Sequence, residues 1–228
     1  MHFSEEIRNY EVMTALPSKD IKTSREYFAL SVLKYSFPDQ FSNLKKGEAP
    51  DLQDMEGSLG VEVTWGGSER DELISGESYK YSHAKTEKDR ERCLRIIRQN
   101  GGDRDEFSIS YPVETSDGDK SNVINAFLRK LKKTEGYREC FKHLGLAILI
   151  DIPLFFFTDS KWGDWLSECN DGKYDFVALL HWSGVDIYDF IRKEYVSFRI
   201  SREDMNLLKK LGRMATEGII HDDDPVWK

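Results

Sequence analysis

The alternation of apolar and polar positions changes rhythm several times along the chain, and each change marks an element. Residues 1–20 have weak periodicity, and Leu16-Pro17-Ser18-Lys19-Asp20 reads as a loop. Tyr27, Phe28, Leu30, Val32, Leu33 and Tyr35 then supply an apolar helical face. A hydroxyl at Thr23 or Ser24 can cap its first turn, and Pro38 ends it. Residues 37–47 are rich in turn formers, with Lys45-Lys46-Gly47 expected at the surface. Pro50-Asp51-Leu52-Gln53-Asp54 is a candidate strand and Glu56-Gly57-Ser58 a turn. Residues 59–65 form the clearest strand of the sequence, valine-rich with glycine near both ends. Two strands joined by so short a turn make a hairpin.

Residues 68–99 turn helical and highly charged, and Asn100-Gly101-Gly102 is a stop signal. A short strand is expected over 107–113 and a loop at Ser116-Asp117-Gly118-Asp119. A helix over 122–134 follows, with Val123, Ile124, Phe127, Leu128 and Leu131 on one face. The nearly continuous apolar run over 144–157 fits a strand buried on both faces. Trp162, Trp165 and Leu166 suit a short helix; 176–182, 185–190 and 194–200 suit an antiparallel meander. A helix over 202–214 closes the chain, with His221-Asp222-Asp223-Asp224 expected as a mobile tail. This order predicts an α/β (α+β) fold, a mixed central sheet flanked by helices. It is read as a single domain over 1–228, with a core over roughly 23–200 and a C-terminal helix and acidic tail over 201–228.

Composition narrows the class. With 228 residues, 39% hydrophobic, 12% aromatic and 32% charged, the chain can bury a sizeable core. The longest apolar run is broken by Asp151 and Pro153, and residues 1–10 mix charges of both signs. Neither a membrane span nor a signal peptide is expected, so no membrane partner. Cys93, Cys140 and Cys169 form no Cys-x-x-Cys pair; inert thiols and a cytoplasmic location follow as expectations. A net charge of −8 speaks against indiscriminate coating of nucleic acid but suits clustered carboxylates that hold metal beside a local basic face.

The candidate chemistry lies in the hairpin. Alternation along the second strand puts Val61 and Val63 on the core face and Glu62 and Thr64 on the other. A carboxylate midway along an apolar strand is costly unless solvated or bound. Asp51 opens the neighbouring strand, and register can bring both carboxylates within reach of one hard cation. Mg²⁺ (or Mn²⁺) takes oxygen ligands, commonly one or two carboxylates with water and substrate phosphate. Taken singly, Asp51 after a proline is an ordinary turn residue and Glu62 an ordinary strand residue. Their pairing across a hairpin behind a helix is what points to metal.

Gly47-Glu48-Ala49-Pro50-Asp51, then Gly60-Val61-Glu62-Val63-Thr64 with ten residues between Asp51 and Glu62, resembles the metal site of PD-(D/E)xK nucleases over roughly residues 24–66. The resemblance implies a restriction-endonuclease-like αβββαβ-type core with extra C-terminal strands. It implies an enzyme that hydrolyses phosphodiester bonds of nucleic acid, DNA foremost, in bacterial or phage defence or DNA processing, and it is compatible with a homodimer. Asp51 and Glu62 would hold Mg²⁺, with Glu26 an accessory ligand and Glu48 and Gln53 further candidates around them. Thr64 stands where the family has lysine, a group that stabilises developing negative charge. Thr64 would position water, while Lys80, or Lys85 beside it, would supply the charge from the downstream helix. The departure at Thr64 carries a second expectation: a catalytically inactive domain of this fold that binds nucleic acid or protein.

Arg129, Lys130, Lys132 and Lys133 are expected on the polar side of their helix, as a phosphate track or as a solvated face. Arg90, Arg92, Arg95 and Arg98 alternate with acids and read as surface charge pairing. His83, His143 and His181 lack metal-ligand spacing. Trp162 and Trp165 fit core or lid better than a base-stacking platform. Neither a Walker-type glycine loop nor a Gly-x-Ser-x-Gly elbow is present, so ATP-driven and serine-hydrolase chemistry have no support.

Overall fold

In the computed structural model, residues 3–11, 16–54, 56–104, 109–110, 116–150 and 161–227 are described. The chain opens with α1 (Glu5–Asn9), α2 (Ser18–Ser36) and α3 (Pro38–Phe41), then β1 (Leu44–Lys46), β2 (Leu52–Asp54) and β3 (Leu59–Trp65). The charged helices α4 (Glu69–Ser82) and α5 (Glu87–Gln99) follow, with a small ribbon of β4 (Asp103–Arg104) and β5 (Ile109–Ser110). Next come α6 (Ser116–Leu131), α7 (Glu135–Arg138), β6 (His143–Leu149) and α8 (Lys161–Asn170). The chain ends with β7 (Phe176–His181), β8 (Gly184–Asp189), β9 (Glu194–Arg199), α9 (Arg202–Thr216) and a 3-10 turn, Pro225–Trp227.

These make a mixed α/β fold around a 7-stranded sheet in the order β1-β2-β3-β6-β7-β8-β9. β3, β6 and β7 run parallel, and the flanking pairs are antiparallel. Helices cover both faces, which explains the near-continuous apolar run of β6. Its Ala147 and Leu149 join the core under α2 and α9, while Leu144, Leu146 and Ile148 join the core under α6 and α8. α2 and α9 approach closely because position 212 is glycine: a Cβ there would lie 2.9 Å from the Phe28 nitrogen. Among the described residues no helix is long and apolar enough to cross a membrane.

The hairpin, the span of β3 and the C-terminal meander follow the sequence expectation closely. Five expectations need correction. α1, capped by the Ser4 hydroxyl, forms where periodicity is weak. α2 starts at Ser18, behind Pro17, inside the expected loop; proline's fixed φ suits a helix start, so Glu26 lies well inside the helix instead of at its first turn. Residues 37–47 hold α3, begun by Pro38, and the strand β1. Ser116-Asp117-Gly118-Asp119 is the first turn of α6, not a loop. The acidic tail is held down, not mobile: Trp227 is buried and stacked on Tyr27, its Nε1 donates to the His221 carbonyl at 2.9 Å, and Asp223 pairs with Lys45. Most of the strand expected over 107–113 and residues 151–157 of the apolar run lie outside the described residues.

Candidate active site

β2 and β3 pair with Leu52 opposite Val61 and Gln53 opposite Gly60, so Asp51, one step earlier, comes alongside Glu62, one step later. The regular ladder stops there. The Val63 amide, which would otherwise be left without a partner, donates to Asp51 Oδ2 at 2.9 Å. Pro50 packs tightly on Gly60, where a Cβ would lie 2.6 Å from Pro50 Cγ, and Gln53 Nε2 donates to the Pro50 carbonyl at 2.9 Å. Val61 and Val63 enter the core under α2 and α9, and Glu62 meets α6 on the other face.

Three carboxylates on neighbouring elements are buried, Glu26 at 3% exposed, Asp51 at 2% and Glu62 at 4%; Glu26 and Asp51 share Lys22, and Glu62 lies across the hairpin from Asp51. Each is matched by lysine. Lys130 Nζ donates to Glu62 Oε1 at 2.5 Å. Lys22 Nζ lies 3.1 Å from Glu26 Oε1 and 3.0 Å from Asp51 Oδ1, and Lys46 Nζ lies 3.2 Å from Glu26 Oε2. Burial pushes the Glu26 carboxyl up, and the charge of Asp51 adds to this against Lys22 and Lys46. Its hydrogen bond to Asp51 pushes the Lys22 ammonium up. Tyr137 is pushed up by burial, then by the charge of Glu62 and a loose hydrogen-bonding approach to it. Tyr174, raised by burial and then by the same charge, donates to the Lys130 carbonyl at 3.3 Å. Glu62 Oε2 is buried without a well-formed hydrogen bond.

Beside this cluster opens a cavity of about 240 Å³, whose lining includes Lys22, Glu26, Thr64, Arg129, Lys130 and Lys133 together with the ion pair of Arg25 and Glu72. It sits at the C-terminal end of β3, the end at which parallel strands usually present ligand sites. A larger hollow of about 490 Å³ lies at the opposite end, against Leu59, His143 and Phe176, the first residues of β3, β6 and β7. It is lined by Asp39, Asp54, Asp175 and Asp189 and gathers none of the carboxylates described above.

The structure therefore links Glu26 to Asp51 through Lys22 and Glu62 to Lys130, and it places Glu26, Thr64, Arg129, Lys130 and Lys133 along the cavity. Lys80 does not join them: it pairs with Glu77 on its own helix at 2.5 Å. The cation on Glu62 is Lys130, which is buried, whereas Arg129 beside it on α6 and Lys132 and Lys133 just past the end of that helix are exposed. Helical spacing places residues 123, 126, 127, 130, 131 and 134 on one stripe, and all six are buried. That stripe was the available signal for Lys130. Glu62 is likewise buried, not exposed. Lys46, expected at the surface, is half-buried against Glu26. Glu48 is exposed, and Gln53 supports the Pro50 turn. Lys22, Tyr137 and Tyr174 were missed; for Lys22 the only sequence signal is its i,i+4 spacing to Glu26. His181 lies apart, its Nε2 3.4 Å from Asp186 Oδ2.

Among the described residues, no three His, Cys, Asp or Glu side chains gather as a ready-made metal group. The donor set nevertheless suits a hard divalent cation: all-oxygen, buried, and with Glu62 Oε2 left over. No protein-family model matches the chain, and neither a curated protein nor a solved structure matches it.

Proposed function

We propose that this chain is a metal-dependent nuclease of the PD-(D/E)xK type, hydrolysing phosphodiester bonds of nucleic acid, with DNA the leading substrate. The observation that carries the reading is the pairing of buried Asp51 and Glu62 across the β2–β3 hairpin, with a buried lysine on Glu62 and one Glu62 oxygen without a well-formed hydrogen bond. A helix, three antiparallel strands and a later strand parallel to the third support a restriction-endonuclease-like core.

In this reading Asp51 and Glu62 hold Mg²⁺ or Mn²⁺, with Glu26 in reach as a further carboxylate. A bound ion of this kind polarises a phosphoryl oxygen and eases ionisation of its water. Lys130 takes the role that the motif lysine has elsewhere: it reaches the site from α6, fixes Glu62 and offers positive charge where negative charge develops. The Thr64 hydroxyl borders the same cavity, where it can orient water. Arg129 and Lys133 give the cavity a basic margin for the phosphate backbone, while Arg25 on the same lining is paired with Glu72 at 2.5 Å. A homodimer would let two such sites act on two strands.

The test is Mg²⁺- or Mn²⁺-dependent cleavage of DNA and RNA by the wild type and by Glu62→Gln. Equal residual hydrolysis in both sinks the assignment. A second reading, an inactive domain of this fold that binds nucleic acid or protein, is favoured by the lysines already seated on all three carboxylates. Carboxylate-dependent Mn²⁺ uptake in titration calorimetry separates the two.

A further inference from the structure

We propose that Lys22 is a resident cation of the site: its ammonium holds the place between Glu26 and Asp51, and a divalent ion enters only as Lys22 withdraws. The inference rests on the metal-site reading above and adds a regulatory step to it.

The geometry is that of a cation site already filled. One nitrogen lies 3.1 Å from Glu26 Oε1 and 3.0 Å from Asp51 Oδ1, bridging carboxylates from two elements. The Glu26 contact alone is an ordinary i,i+4 helix pair. The Asp51 contact is not: it crosses from α2 to the start of β2 and reaches a carboxylate only 2% exposed. Charge points the same way. Glu26, Asp51 and Glu62 are matched by Lys22, Lys46 and Lys130, so the formal charges of the cluster sum to zero. A divalent ion added with all three ammonium groups in place would leave it doubly positive in a poorly solvated pocket. One lysine has to leave.

Exposure selects which. The side chain of Lys130 is 11% exposed and that of Lys46 25%, whereas that of Lys22 is 71% exposed. Lys22 can swing into water without uncovering core, and its departure frees an oxygen on each of two carboxylates. Lys130 stays on Glu62. The site thus protects its own buried charge when metal is scarce.

The experiment is Mn²⁺ titration of the full chain, by calorimetry and by the electron-spin signal of free Mn²⁺, for wild type, Lys22→Met and Asp51→Asn. Lys22→Met is expected to bind Mn²⁺ about tenfold more tightly than wild type, the order expected when two competing ion pairs are removed. Its metal-free Tm should fall, because Glu26 and Asp51 lose their shared counter-charge, and its Tm rise on adding Mn²⁺ should exceed that of wild type. Carboxylate-dependent binding in wild type with equal or weaker affinity in Lys22→Met overturns the inference while leaving the metal site standing. Absence of Mn²⁺ binding in both proteins overturns the metal-site reading together with it.

Discussion

Two ion-pair clusters beside the parallel strands handle buried charge in different ways. At one end, Arg138 grips Asp175 with both terminal nitrogens, at 3.1 and 2.9 Å, and its remaining donors reach the carbonyls of Lys173 and Gly172. The Leu144 amide adds a bond to Asp175 Oδ2 at 2.9 Å. Every polar atom of that carboxylate has a partner, and the pair ties the loop before β7 to the start of β6. In the other cluster Glu62, midway along β3, meets a single lysine nitrogen and keeps an oxygen without a well-formed hydrogen bond, while Asp51 and Glu26 share Lys22. A guanidinium fork saturates a carboxylate, whereas an ammonium leaves room on it. The first arrangement saturates its carboxylate, and the second leaves acceptor capacity on Glu62.

The comparison breaks most decisively on function. Asp51→Asn, which keeps an acceptor for the Val63 amide, should lower hydrolysis about a thousandfold, the scale of losing a group that acts on the transition state, with little change in Tm. Asp175→Asn should do the reverse, lowering Tm while the folded protein keeps its activity. Comparable activity losses in both variants would erase the distinction. Next in size is Lys130→Met, which strands buried Glu62 without its cation and should cost about 3–5 kcal/mol in denaturant unfolding. Adding Glu62→Gln to Lys130→Met should recover much of that loss. If the double variant is no more stable than the single one, Lys130 contributes by packing alone.

Smaller effects are expected at the Arg138–Asp175 clasp. Arg138→Met should cost about 1–3 kcal/mol, the range for charge-assisted hydrogen bonds and unmet acceptors, and leave Mn²⁺ binding unchanged. The smallest effect is in pH. Burial would raise the Asp175 carboxyl, but the hydrogen bonds from Arg138 and Leu144 and the charges of Arg138 and His143 hold it below its ordinary value of 3.8. A depressed folded value means that its stabilisation is fully present above the ordinary value and is lost as pH falls through the folded one. Stability curves of wild type and Arg138→Met should therefore converge on acidification below about pH 4. Curves that stay parallel would show that the clasp does not titrate.

How far the sequence revealed these features follows from the range of the forces involved. β3, its hairpin and the β7–β8–β9 meander were readable because period-two patterning and short turns act between neighbours. The early start of α2 behind Pro17 and that of α3 at Pro38 were misread because a proline that begins a helix also marks a turn, and β1 is too short to show a period. In the site, Asp51 and Glu62 emerged together since one hairpin holds both. The partners of their charges did not, since Lys22, Lys46 and Lys130 come from α2, β1 and α6. A lysine's role is set by which carboxylate it meets, and Lys80 and Lys130 look alike until the fold sends one to Glu77 and the other to Glu62.

The contact between Lys130 and Glu62 spans 68 positions of the chain. On a ribosome, β3 emerges well before the helix that completes it, and β3 gains its parallel neighbour only with β6. Until then the carboxylate has no fixed counter-ion, and the nascent chain carries the ligands of the candidate site without the assembled site. Whatever chemistry the cluster supports is thereby withheld until the chain has been made through β6.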